Sequence, residues 1–259
     1  MGGVARRATK INEVHAEVDG VVLTLDAGNS LFGQTVARDS EGVVIVDAMN
    51  AMRYDAMGVG GVDLAQGVET LLARAADADF AIVSCNLADP ATGELLLPPY
   101  TVIERDGLRV GIIGVSDIRA FGAPDASALV TVLEPVGSVR RHMPEVQAQS
   151  DLIVVLSTLG LESDEALAAA VPEVDLIVGG RTRKILQPPV VVGDTVIVQM
   201  GYDGQRLGRL DALLDTEGLL REPEVTILSL GPMVPDDAGL AALVSAYKER
   251  FPPPPVPSH

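Results

Sequence analysis

Three uninterrupted branched apolar runs constrain this 259-residue chain more than any other feature: 109-RVGIIGV-115, 151-DLIVVLS-157 and 174-VDLIVGG-180. A strand with one wet face alternates polar and apolar residues. A strand that is apolar at nearly every position is covered on both faces. Such strands demand layers above and below. Further strands are predicted at 21–26, 80–85, 100–105, 190–200, 207–215 and 224–230. Helical patterns fall at 43–52, 64–77, 134–149, 164–171 and 237–251. Ser163 is the predicted N-cap of the fourth of these, with Asp164 and Glu165 in its first turn. Strands and helices alternate first, and hairpin-like strands dominate after residue 188. The expectation is a mixed α/β or α/β/β/α layered domain over residues 1–251. The segment 252-PPPPVPSH-259 is expected to be extended polyproline II, a tail or linker.

The core has to be aliphatic, because aromatic residues are 3% of the chain and Trp is absent. That shortage excludes stacking platforms for single-stranded nucleic acid. The net charge of −17 repels phosphate backbones and anionic membrane surfaces. Nucleic acid is therefore not an expected partner. No apolar run reaches transmembrane length, so direct membrane insertion is not expected either. The opening 1-MGGVARRATK-10 has basic residues without an apolar stretch behind them. As written, the chain is expected in the cytoplasm; a signal upstream would make it periplasmic or exported. Cys85, the single cysteine, reads as a small core residue.

Familiar catalytic patterns are missing. Gly111 and Gly114 do not complete a dinucleotide fingerprint and read as close-approach glycines in a buried strand. The run 179-GGRTRK-184 lacks the GK[ST] of a phosphate loop. His15, His142 and His259 have no metal-ligand spacing, and no nucleophile elbow is present. Asp26, Asp47, Asp63 and Asp175 lie near strand or helix ends, where a carboxylate commonly serves as a cap or a turn residue.

Read in order, several stretches resemble one family, the 5′-nucleotidase-like branch of the calcineurin-type metallophosphatases. The stretch 2-GGVARRATKINEV-14 is similar to the family's G-G-L-A-R-R-A-T helix, and 25-LDAGNSLFG-33 to L-D-A-G-D-S-L-F-G. The stretch 49-MNAMRYDAMGVGGVDLAQG-67 resembles M-N-A-M-G-Y-D-A-M-x-x-G-N-H-E-F-D-x-G. Then come 155-VLSTLGL-161, like V-L-S-H-L-G, and 177-IVGGRTRKIL-186, like I-V-G-G-H-T-H. The resemblance implies a layered α/β/β/α sandwich. It also implies two divalent metals about 3.5–4 Å apart that clamp a phosphate and activate water.

Residue by residue, the implied ligands do not carry over. The bridging Asp becomes Asn29, a neutral amide. The Asn and His of G-N-H-E fall on Gly61 and Val62, while Asp63 keeps a carboxylate at the Glu position. The His of S-H-L-G falls on Thr158, and the two His of G-H-T-H fall on Arg181 and Arg183. A guanidinium has no acceptor lone pair and stays charged. The family's opening strand, with its D-x-H ligands, is expected ahead of Gly2, so the sandwich is expected here without its first strand.

The resemblance then implies a catalytically inactive, metallophosphatase-like domain without a metal cofactor, acting as a binding or structural component. One alternative is an active metal-dependent phosphoesterase of 5′-nucleotidase type, with two divalent ions and with ligands supplied from outside this segment. Another is a non-hydrolytic anion or nucleotide binder using Arg181 and Arg183. Those arginines have three readings: pairing with retained carboxylates such as Asp26 or Asp63 to fill the vacated site, gripping a small anion, or anchoring a partner protein. A missing inner strand would leave unpaired backbone groups on its neighbours. A re-paired sheet, a strand donated by another chain or a longer product would each remedy that, so another protein chain or self-association is expected.

Overall fold

The computed structural model describes residues 2–119, 127–202, 204–216 and 218–252. The tail beyond Pro252 and His259 lie outside the described residues. The elements run α1 (Val4–Glu17), β1 (Leu25–Asp26), α2 (Thr35–Asp39), α3 (Val43–Ala51), β2 (Ala56–Met57), a 3-10 turn (Gly61–Leu64), α4 (Val68–Asp77), β3 (Ala81–Ile82) and β4 (Leu87–Ala88). Then follow β5 (Tyr100–Arg105), β6 (Leu108–Val115), β7 (Thr131–Val132), α5 (Pro135–Gln147), β8 (Leu152–Ser157), α6 (Leu161–Ala170) and β9 (Leu176–Gly179). The chain continues through β10 (Val190–Val192), β11 (Thr195–Val198), β12 (Arg206–Leu214), β13 (Leu220–Ser229) and α7 (Ala238–Arg250).

The three apolar runs become β6, β8 and β9, which lie side by side and parallel in a six-stranded sheet of order β10-β11-β9-β8-β6-β5. Their side chains alternate between two cores, as the period of two requires. Ile153 and Val155 of β8 join Val139, Met143 and Val146 of α5 and Leu167 of α6 in an outer core. Leu152, Val154 and Leu156 point the other way, into a middle core with Ala56 of β2 and Val83 beyond β3. A second, parallel sheet of order β1-β2-β3 lies across that middle core, and the β12–β13 hairpin contributes Leu210 and Leu220 to it. On its far side Ala8 and Ile11 of α1, Val46 and Met49 of α3, Leu71 of α4 and Leu240 of α7 build the remaining core with Met57. The architecture is the four-layered α/β/β/α sandwich expected from the sequence.

Some boundaries shift. The apolar stretches at 21–26 and 80–85 form only the two-residue strands β1 and β3. The stretch at 190–200 folds into a hairpin, with β10 and β11 antiparallel. Helix α6 starts at Leu161 after Gly160, not after Ser163, so Glu162 and Asp164 occupy its first turn. Gly114 is held to glycine by close approach: a Cβ there would lie 2.0 Å from the Val83 carbonyl oxygen. Cys85 is a core residue, its thiol pushed up to about 12 by burial. Among the described residues, no helix is long and apolar enough to cross a membrane.

Candidate functional site

Five loops meet at the carboxyl ends of parallel strands, the place where open α/β sheets present their sites. Asn29 follows β1, Gly61 and Val62 follow β2, Asp117 follows β6, Thr158 follows β8, and Arg181 and Arg183 follow β9. The loops touch. A Cβ on Gly180 would lie 2.8 Å from the Cβ of Ala27. The Thr158 hydroxyl donates to the Val59 carbonyl at 3.0 Å and accepts from the Asp117 N–H at 2.9 Å. The structure thus brings together the positions that the sequence pattern singles out.

Asp63 staples the first two loops. It is fully buried, and its two oxygens accept the backbone N–H groups of Asn29 (2.6 Å), Ser30 (2.9 Å), Leu31 (2.9 Å) and Gly60 (2.9 Å). Burial lifts its carboxyl to about 6 against the pull of those N–H groups. Asn29 adopts a left-handed conformation (φ 64°), and its side-chain oxygen accepts the Val62 N–H at 2.9 Å. Asp26 is a turn residue, accepting from the Gly28 N–H and the Ser30 hydroxyl, each at 2.8 Å. Asp47 and Asp175 are neither caps nor turn residues: Asp47 accepts the Tyr247 hydroxyl at 2.5 Å, and Asp175 accepts the Ile153 N–H at 2.7 Å.

Arg181 meets a carboxylate, but not the expected one. Asp26 and Asp63 are engaged within their own loops, and the Arg181 guanidinium bonds instead to Asp117 and to the Leu159 carbonyl (3.1 Å). Arg119 forks onto the same carboxylate at 2.6–3.1 Å. Burial works to raise the Asp117 carboxyl, and the bonds and charges of Arg119 and Arg181 outweigh it, so its pKa is lowered. Arg183 is held in a left-handed conformation (φ 57°) with its guanidinium 5.0 Å from the Tyr202 ring centre. Asp117 has no motif around it. Its only signal in the sequence is position, two residues beyond the end of a continuous apolar strand.

A second buried group escaped the sequence. Asp164 is fully buried, accepting the Ser157 hydroxyl at 2.5 Å and the Gln199 amide at 3.4 Å. Gln199 in turn accepts from Thr182 at 2.5 Å, which ties α6 to the arginine loop. Burial pushes Asp164 up to about 7.

The donor set does not fit two dications. Asn29 and Thr158 are spent on backbone groups, both Asp63 oxygens are filled by N–H donors, and Arg181 and Arg183 have no lone pair to give. Among the described residues, no three His, Cys, Asp or Glu side chains come together as a metal-holding group. Behind the loops a cavity of about 1450 Å³ runs between the sheets, polar near Asp26, Asn29 and the arginines and apolar beyond.

No family model matches the chain. Snake venom 5′-nucleotidase of Naja atra is 29% identical over 276 residues, covering 96% of this chain and 52% of its own length. The structure of a 5′-nucleotidase precursor from Thermus thermophilus is 30% identical with a TM-score of 0.85, over 96% of this chain and 53% of that one. The sulfate thiohydrolase SoxB of Thermus thermophilus shares the fold at a TM-score of 0.87 and 22% identity, over 96% of this chain and 47% of that one. The chain spans about half the length of the curated relatives it matches. Four layers, five loops at the strand ends and this shared sequence lead to one conclusion: the chain belongs to the calcineurin-like metallophosphatase superfamily, on its 5′-nucleotidase-like branch.

Proposed function

We propose that this chain is a non-catalytic metallophosphatase-like domain that works as a binding or structural component alongside a partner polypeptide. One observation carries the reading: a guanidinium, Arg181, bonds to Asp117 where the family resemblance places a metal-ligating imidazole. Arg181 and Arg119 already balance that carboxylate with fixed positive charge. A dication brought to the same loops would meet those cations at close range, with no thiolate or imidazole among the described residues of those loops to compensate. Pairing also removes the cost of a lone charge in a part-buried site. The arginines thus take over the electrostatic role of the metals and none of their chemistry.

Metal content and hydrolysis test this together. Purified protein is expected to hold no stoichiometric Mn, Zn or Fe and to leave a phosphodiester dye and AMP intact with any of these ions added. Two bound equivalents with hydrolysis would return the chain to its relatives' activity, with ligands from elsewhere. Thermal shifts with phosphate, sulfate and AMP separate the anion-binding alternative. A shift lost in Arg181→Ala combined with Arg183→Ala would replace the structural role with anion capture.

A further inference from the structure

The loop that carries Arg181 and Arg183 is tied to α6 by a chain of four side chains. Thr182 donates its hydroxyl to the Gln199 amide oxygen at 2.5 Å, and the Gln199 amide nitrogen donates to Asp164 at 3.4 Å. The Ser157 hydroxyl donates to the other Asp164 oxygen at 2.5 Å, and its own oxygen accepts the Leu159 N–H at 3.1 Å. The fit is close: a Cβ on Gly179 would lie 2.7 Å from the Gln199 nitrogen and 2.8 Å from an Asp164 oxygen. Ser157, Asp164 and Gln199 are buried, and Thr182, at the loop end of the chain, is exposed.

This chain accommodates a proton on Asp164 by reversing. A Gln amide turned over keeps its shape and exchanges its donor with its acceptor. Protonated Asp164 then donates to the Gln199 oxygen, the Gln199 nitrogen donates to the Thr182 oxygen, and the Thr182 hydrogen turns to water. Every buried group of the chain keeps a partner, and no charge is left inside. Without the proton, the carboxylate has two neutral donors, one of them distant. The elements packed on α6 bring it no cation. β8, β9, β10 and β11 contain no titratable side chain. Glu162 and Glu165 of α6 itself are acids, and Glu165 adds to the rise in the Asp164 carboxyl. On α5, Arg140 bonds to the Ala170 carbonyl at the far end of α6, and His142 lies beside Tyr100. Arg181 is spent on Asp117, and Arg183 faces the Tyr202 ring. A buried charge so placed draws in water. Leu161, Leu167 and Ile177 close the outer-core side, so water enters at Thr182 and competes for its bond to Gln199.

We propose that Asp164 is a proton-operated latch on the arginine loop: the protonated acid holds the loop to α6 through Gln199 and Thr182, and loss of the proton loosens it. The carboxyl sits at about 7 with the loop closed, against about 3.9 in water. The latch is therefore fully set below pH about 4 and weakens as pH rises through about 7. A loosened loop offers its arginines to a partner, so the latch regulates the binding role proposed above and rests on it for its use. Metal content tests that role, and the latch is read by exchange alone, so the two can fail separately.

Amide hydrogen exchange in the full 259-residue chain tests the latch, with each rate taken relative to the free-peptide rate at the same pH. The Gly180 N–H donates to the Ser157 carbonyl at 2.9 Å and the Leu186 N–H to the Gln199 carbonyl at 3.0 Å, so these two amides flank the loop. From pH 5 to pH 8 their protection is expected to fall by about tenfold or more, and that of Val155 in the middle of β8 to fall less. In Asp164→Asn the side-chain amide donates to Gln199 as the protonated acid does, and protection is expected to hold at both pH values. Thr182→Val cuts the tie and is expected to leave the loop poorly protected at both. Asp63 and Asp175, raised to about 6, titrate in the same window in every variant. A fall as large in Asp164→Asn as in the wild type assigns the effect to them and overturns the proposal. Constant protection in the wild type, an equal fall at Val155, or a Thr182→Val protein that behaves as the wild type overturns it as well.

Discussion

At the residue scale, the loops hold two kinds of carboxylate. Asp117 is matched by cations, while Asp164 is buried with neutral partners, Ser157 and Gln199. The second kind couples folding to pH. Asp164 sits at about 7 in the fold, against about 3.9 for an unfolded Asp. Between those values the folded chain holds a proton that the unfolded chain has released. Its contribution is therefore fully present below pH about 4, declines as pH rises, and is gone above about 7. A difference of that size corresponds to about 4 kcal/mol. In Asp164→Asn the neutral amide stands in for the protonated acid and removes this slope. Urea unfolding at pH 5 and pH 8 should find the variant gaining on the wild type by a few kcal/mol at the higher pH. Asp63 and Asp175, both raised to about 6 by burial, slope the same way, and His142, lowered by burial, opposes them; these effects are common to both proteins and cancel in the difference. A difference that does not change with pH would mean that Asp164 is ionised in the fold. The sequence displays Asp164 only as a first-turn acid on a helix, because its burial depends on Ser157 and Gln199, which arrive from β8 and from the end of β11.

At the element scale, length decides what the sequence reveals. The six-residue β8 is buried at every position, and its apolar run is visible as such. β2, β4 and β7 have two residues each, too few for any period to emerge, and they exist because neighbouring strands offer them partners. The same holds for the site. Arg181 and Arg183 stand out as cations at the end of an apolar run, whereas the carboxylate that Arg181 meets lies 64 residues earlier, and only the parallel packing of β6, β8 and β9 joins them. The junction of the loops after β1 and β2 depends on Asp63 in the same way. Replacing it by Ala would strand four backbone donors, those of Leu31 and Gly60 buried and those of Asn29 and Ser30 part-buried, and a buried one costs about 1–3 kcal/mol when unpaired. Asp63→Ala is expected to lose about 2–6 kcal/mol from the two buried donors alone, a large share of the stability of a marginal domain. Asp63→Asn keeps one acceptor oxygen and should fall between the two. Circular dichroism melts order the three proteins, and an alanine variant as stable as the wild type would mean that water replaces the carboxylate at no cost.

At the scale of the whole molecule, 36 acidic residues face 19 basic ones. Many of the bases are already engaged locally, as in the Arg109–Asp151 and Lys10–Glu13 pairs. Exposed pairs of that kind contribute at most about 1 kcal/mol each. The unpaired acids repel one another across the surface, and that repulsion favours the expanded chain. Salt weakens both effects, since the screening length falls from about 30 Å at 0.01 M to about 8 Å at physiological ionic strength. Surface pairs separated by about 3 Å lie well inside either length, whereas the repulsion acts between charges spread over the surface and is screened first. Raising NaCl from low to physiological concentration is therefore expected to raise Tm by a few degrees. The Arg181–Asp117 contact is part-buried and should be indifferent to that change. If Tm falls instead, local ion pairs outweigh the net charge, and the acidic surface is a framework of contacts instead of a repulsive shell.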